Sequence, residues 1–306
     1  MTTKKTLASC IASLLSVATF SGVAQAEPLA FYGKVDVSLQ ASDEGEGRFT
    51  ELKSNASRFG VKGDYALEDG LSIVYKLEWQ VDVSDESSEK NFKSRNQYIG
   101  LKGNFGELRL GRHDTALKVS QGKTDLFNDY EADVKHLWKG ENRVNDSISY
   151  LTPSFSGFGA QITYIVADSA DADDAFSVAV HYGDQALKES NFYTALAYDS
   201  EVKGYDIIRA TAQFKLADLT INTMYQNQEE LETQLDKNGY LLGAAYPWQK
   251  MTFKAQYQVM GDDNGASLGV DYKLGKNSKV YAWYSSFDFD QTENTDYLAV
   301  GISHKF

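Results

Sequence analysis

Residues 31–39 read Phe-Tyr-Gly-Lys-Val-Asp-Val-Ser-Leu. In an extended strand Phe31, Val35, Val37 and Leu39 share one face and Tyr32, Lys34, Asp36 and Ser38 the other. A period of two with one apolar and one charged face describes a strand that meets grease on one side and water on the other. The pattern recurs at 57–65, 71–81, 95–103, 107–113, 143–151, 160–167, 175–182, 191–198, 206–215, 219–226, 239–246, 251–260, 266–274, 278–287 and 296–306, making sixteen segments. An even number of alternating segments of about ten residues predicts a closed antiparallel β-barrel in a membrane. Sixteen strands also leave an aqueous channel, whereas about eight fill with side chains. Lys34, Asp36, Arg58, Lys62, Asp64, Lys76, Glu78, Lys102 and Arg109 all fall opposite the apolar stripes. So many charges in a packed core would be prohibitive, and they are expected to face a water-filled lumen.

The links between segments sort by parity. Acidic links follow the odd segments, at 40–56, 82–94, 114–142, 168–174, 199–205, 227–238, 261–265 and 288–295, and mostly shorter ones follow the even segments. An up-and-down meander puts all links of one parity on the same side of a membrane, with short turns opposite longer outer loops. The 114–142 link is the longest, and Asp125, Asp129, Glu131 and Asp133 follow one another in it without an intervening base. A loop of that length inside a compact domain needs a job. Our reading is that it folds into the lumen and narrows it, as the third outer loop.

Composition removes several other classes. Lys4 and Lys5 precede an apolar run from Leu7 to about Phe20 and the small residues Ala24-Gln25-Ala26, the pattern of a cleaved signal peptide over 1–26, leaving a barrel domain over 27–306. Beyond residue 26 the chain has 43 acids against 28 bases, a net −15, which repels nucleic acid. The same excess predicts a mild cation preference. No later run of about 18 apolar residues occurs, which excludes a helical membrane protein. The only cysteine is Cys10, so the exported chain is stabilised without disulfides. Three prolines against 19 tyrosines and 16 phenylalanines favour long unbroken strands. Trp79, Tyr164, Tyr182, Tyr246, Trp248 and Tyr272 lie near segment ends and fit interfacial girdles.

Three stretches carry a family resemblance: Ser57-Arg58-Phe59-Gly60-Val61-Lys62-Gly63, the run from Gly100 to Arg112, and the ending Val300-Gly301-Ile302-Ser303-His304-Lys305-Phe306. Together with Glu141-Asn142-Arg143-Val144 and Pro153-Ser154-Phe155-Ser156-Gly157-Phe158, their order resembles the general porins of Gram-negative outer membranes. The resemblance implies a homotrimer of sixteen-stranded barrels that passes small hydrophilic solutes by diffusion. It implies wall bases at Arg58, Lys62, Arg112 and Arg143 facing loop acids drawn from Asp125, Asp129, Glu131 and Asp133. It also implies that Phe306 addresses the chain to the barrel-assembly machinery. The third loop departs from the enterobacterial pattern, lacking a Pro-Glu-Phe-Gly-Gly run and being longer.

No cofactor or metal is expected, because the four histidines, 113, 136, 181 and 304, show no ligand spacing. The partners expected are other copies of the chain, outer-membrane lipid, and lipopolysaccharide bridged to the acidic loops by divalent cations. Two other readings stay open at this point. One is a secreted soluble all-β protein that binds glycans. The other is an outer-membrane barrel hydrolase built on His113 beside Asp114, although no Ser or Cys sits in a nucleophile motif.

Overall fold

A computed structural model of the chain describes residues 29–84, 91–167 and 174–306; the expected signal peptide lies outside them. They form one sheet of seventeen strands: β1 Ala30–Asp43, β2 Arg48–Ser54, β3 Arg58–Ala66, β4 Ser72–Val81, β5 Phe92–Gly103, β6 Gly106–Asp114, β7 Arg143–Leu151, β8 Phe158–Ile165, β9 Ala175–Gly183, β10 Phe192–Val202, β11 Tyr205–Leu216, β12 Leu219–Glu230, β13 Leu235–Trp248, β14 Met251–Met260, β15 Asp263–Lys273, β16 Ser278–Asp288 and β17 Thr295–Lys305. Strands pair antiparallel around the ring. β17 returns to β1, from Lys34 opposite Lys305 to Asp43 opposite Asp296, and closes the barrel. Closure leaves no free edge.

β2 and β3 both pair with β1 and are two halves of one wall strand, so the barrel has sixteen staves. The break at 55–57 is a bulge: Ala56 has φ of 50°, and Asn55 N donates to Asp36 O at 2.8 Å. Bulges re-aim side chains. This one turns Asn55 into the lumen, where its amide donates to Ser38 Oγ and Tyr281 Oη, both at 2.9 Å.

Burial is inverted relative to a soluble protein. Leu39, Leu268 and Val300 are 58%, 62% and 60% exposed, while Gln40, Gln226 and Gln258 are fully buried. A belt of exposed leucine, valine and isoleucine this continuous marks a lipid-facing surface. Tyr164, Tyr182, Tyr246, Trp248 and Tyr272 are exposed on that face near strand ends, and Trp79 stacks on Phe59 there at 5.8 Å. No helix among the described residues is long and apolar enough to cross a membrane.

Each of the sixteen expected segments coincides with a strand, and the difference lies in strand length. The links read at 40–56 and 227–238 are mostly strand, leaving turns only at 44–47 and 231–234. Gln226-Asn227-Gln228-Glu229-Glu230 is polar on both faces, yet it pairs with β13 through Glu230 opposite Leu235. Where a strand rises out of lipid both faces are wet, so the hydrogen-bonded ladder continues after the alternation has stopped.

Candidate pore constriction

The 115–142 segment lines the inside of the barrel. Thr115 caps the short helix α1 (Ala116–Ser120), its hydroxyl accepting from Lys118 N. Leu117 N donates to Ser177 Oγ of β9 at 2.9 Å, and Tyr193 Oη of β10 donates to Ser120 O at 3.1 Å. Leu126 N then donates to Gln256 Oε1 of β14 at 2.9 Å. On the return leg Trp138 Nε1 donates to Val259 O at 3.0 Å, and Lys139 N to Gln228 Oε1 at 3.0 Å. Glu141 accepts from Arg209 Nη1 at 2.7 Å, in a pair whose side chains are 7% and 0% exposed. All the side-chain partners lie on the polar face opposite the lipid belt, so the loop is plastered on the wall from β9 to β16. Phe127 and Tyr130 complete the seam against Tyr281, Trp283 and Phe287.

The free lumen is therefore bounded by the loop and the β1–β7 wall. A cleft of about 460 Å³ separates the two, with Lys53, Arg95 and Arg143 on the wall side and Asp129, Glu131 and Lys135 among the loop residues. Asp129 bridges the two, its Oδ2 lying 2.9 Å from Arg58 Nη1 and 3.0 Å from Lys34 Nζ. Burial alone would raise the Asp129 carboxyl, but Arg58 and then Lys34 outweigh it and hold it well below the usual carboxylate range. Glu131 pairs with Lys53. Asp133 turns its carboxylate along the loop, accepting from Asp129 N and Lys135 N at 2.9 Å each, while still lining the cleft.

On the wall, Glu78 accepts from Arg95 Nε at 2.9 Å and Tyr32 Oη at 2.8 Å and lies 3.3 Å from Lys76 Nζ. Lys34 also reaches Asp36 at 3.4 Å. Arg143 pairs with Asp114 at 2.9 Å. Asp64 pairs with Lys102 at 3.2 Å, and Arg109 with Glu107. Phe306 exchanges backbone hydrogen bonds with Gly33, and its ring covers the place a Cβ would take there.

Three expected constriction residues stand elsewhere. Asp125 is buried behind the loop, accepting from Phe127 N at 2.9 Å, Val134 N at 3.0 Å and Gln256 Nε2 at 3.1 Å. Burial first, and the Asp133 carboxylate second, push its carboxyl up to about 8. Its job is to fold the loop. Arg112 hydrogen-bonds Asn145 and does not line the cleft. Lys62 sits four residues along β3 from Arg58, about 13 Å down the wall, with its ammonium 5.4 Å from the centre of the Tyr32 ring. Conversely, Arg95, Lys53 and the Arg209–Glu141 anchor belong to the site and were not singled out from sequence.

A closed barrel with lipid outside, charges inside and a loop narrowing its lumen defines a water-filled membrane channel. A model of the Gram-negative porin family matches residues 12–292. The chain is 29% identical to the major outer membrane protein P.IB of Neisseria sicca, over 99% of this chain and 100% of that one. It is 27% identical to outer membrane porin protein 32 of Delftia acidovorans, over 87% and 86%. An anion-selective porin from Comamonas acidovorans superposes with a TM-score of 0.76 at 21% identity, over 91% of this chain and 99% of that one. The chain belongs to the Gram-negative porin family. It is an outer-membrane diffusion channel of a Gram-negative bacterium, not an enzyme, and the soluble glycan-binding reading is set aside with the hydrolase.

Proposed function

We propose that the channel passes ions and small hydrophilic solutes passively through the cleft between the loop and the β1–β7 wall, with a mild preference for anions. The sign is opposite to the one the whole-chain charge suggests. The observation that carries it is sharing: Asp129 serves Lys34 and Arg58, and Glu78 serves Lys76 and Arg95. Along this wall the seven bases Lys34, Arg58, Lys62, Lys76, Arg95, Lys102 and Arg109 face the four wall acids Asp36, Asp64, Glu78 and Glu107 and the loop's Asp129. Much of the chain's acid excess instead lies on links at the loop end, such as 229–236 and 288–296. A solute passing the narrowest part feels the nearer charges, because salt screens beyond about 8 Å. A ring of side chains of one sign is how such pores select.

The loop acids Asp129, Glu131 and Asp133 temper the preference. Assembly is read as a homotrimer, in keeping with the trimer form in which OmpT of Vibrio cholerae has been solved. Residues 1–26 are read as the cleaved export signal, Phe306 as the assembly signal, and the acidic loops as the surface that divalent cations tie to lipopolysaccharide. Planar-bilayer recordings in a potassium chloride gradient test the selectivity. The wild type gives a zero-current potential of anion sign, and R58Q/R95Q moves it toward cations. A cation-sign wild type, or a double variant that shifts nothing, refutes the reading.

A further inference from the structure

Toward the end of the barrel that carries the short turns, the wall holds a second cluster that the constriction does not use. Lys62 of β3 and Lys76 of β4 are direct cross-strand partners on the lumen face. Like charges placed directly opposite destabilise a sheet. Here the two ammonium groups lie 5.4 and 5.6 Å from the centre of the same Tyr32 ring. Tyr98, the next residue in that row across β5, carries the Arg109 guanidinium 4.8 Å over its ring. Glycines make room for this arrangement: a Cβ at Gly60 would lie 2.9 Å from Tyr32 Oη, and one at Gly100 would meet Leu108 O at 2.4 Å.

The three cations border a recess of about 310 Å³ whose two acids are already engaged, Asp64 by Lys102 and Glu107 by Arg109. Lys76 shares Glu78 with Arg95. Lys62 has no carboxylate within 4 Å among the described residues. The recess is thus short of negative charge where the sheet brings positive charges together.

We propose that Lys62, Lys76 and Arg109 form a second station for small oxyanions, phosphate or carboxylate, which receives the solute after it clears the constriction. The inference rests on the anion-preferring reading above. An oxyanion between Lys62 and Lys76 turns their repulsion into a bridge, and the Tyr32 and Tyr98 rings hold the cations in place. Binding there is weak, as conduction requires: a site must be favourable enough to enter and easy to leave.

The probe is inorganic phosphate. Single-channel conductance of the intact protein is recorded in potassium phosphate of rising concentration and, separately, in a potassium chloride gradient. Wild-type phosphate conductance saturates, and K62Q/K76Q raises the half-saturating concentration about tenfold, as expected when two ammonium groups no longer hold the anion in a wet site. K62R/K76R keeps the wild-type value. If the double Gln variant does not insert, K62Q alone carries the test with a smaller rise. Unchanged saturation in the Gln variants, with anion preference in chloride intact, overturns the station and leaves the pore reading standing. Loss of anion preference in the wild type overturns the reading beneath it.

Discussion

The two halves of the barrel wall bury their inward side chains by different chemistry. Under the loop, from β9 to β16, the wall offers amides and hydroxyls: Ser177, Gln213, Gln226, Gln228, Gln256 and Gln258, all buried. Facing the open lumen, from β1 to β6, it offers Lys34, Arg58, Lys76, Glu78, Arg95 and Arg109. A neutral amide satisfies a loop backbone group without bringing a charge out of water, whereas an unpaired charge under the loop would be severely penalised. Most ionisable side chains are kept where water remains, Asp199 of β10, fully buried opposite Ser177, being a carboxyl set among the amides. The most deeply buried ion pair under the loop among the described residues, Arg209 with Glu141, is matched and further bonded to Gln226 and Lys139 O, and Lys254, which donates to Leu126 O, is matched by Asp271 at 3.3 Å.

That exception is the place to break the comparison. Glu141→Ala leaves the fully buried Arg209 uncompensated, and breaking such a pair costs about 3–5 kcal/mol. Urea unfolding in lipid vesicles should show that loss, together with raised conductance as the return leg of the loop lifts. A stability change below about 1 kcal/mol would place Arg209 in the wet half of the wall instead. Asp129→Asn should weigh less, about 1–3 kcal/mol, because Arg58 is partly solvated and the buried Lys34 keeps Asp36. Its pH signature is specific. The Asp129 carboxyl is held below its ordinary 3.8, so its contribution is fully present above about pH 4 and is lost as pH falls through the lowered value. Wild-type loop docking, followed by hydrogen exchange of the 126–133 amides, should loosen on that descent. In D129N this acid-dependent step should be missing.

The same contrast explains what sequence could and could not show. The sixteen staves were legible because lipid outside and water inside impose a period of two that no loop imitates. Arg58 and Asp129 were legible as opposite charges on the wall and on the longest link. Arg95 was hidden because the register shifts between Leu77 and Trp79, so alternation fails in β5 where Arg95 turns toward Glu78. Asp125 could not be told from Asp129, since both are acids in one polar run. Only the folded loop decides which carboxylate turns back to accept Phe127 N and Val134 N. Arg209 and Glu141 lie 68 residues apart, and nothing local in either segment announces the other.

The smallest expected effect sharpens the comparison most finely, because it separates a hydroxyl from the ring that carries it. Tyr32 Oη donates to Glu78 at 2.8 Å, while its ring lies under Lys62 and Lys76. In Tyr32→Phe the carboxylate keeps Arg95 and Lys76, so only one hydrogen bond goes, about 0.5–1.5 kcal/mol in stability. The ring and both ammonium groups remain, and phosphate saturation should stay at the wild-type value. Tyr32→Leu removes the ring as well, and the two lysines then repel across bare sheet. Phosphate saturation should weaken in the Leu variant alone. Equal behaviour of the two variants would mean that the ring does nothing for the cations above it, and that the open wall is held by hydrogen bonds of the same kind as the wall beneath the loop.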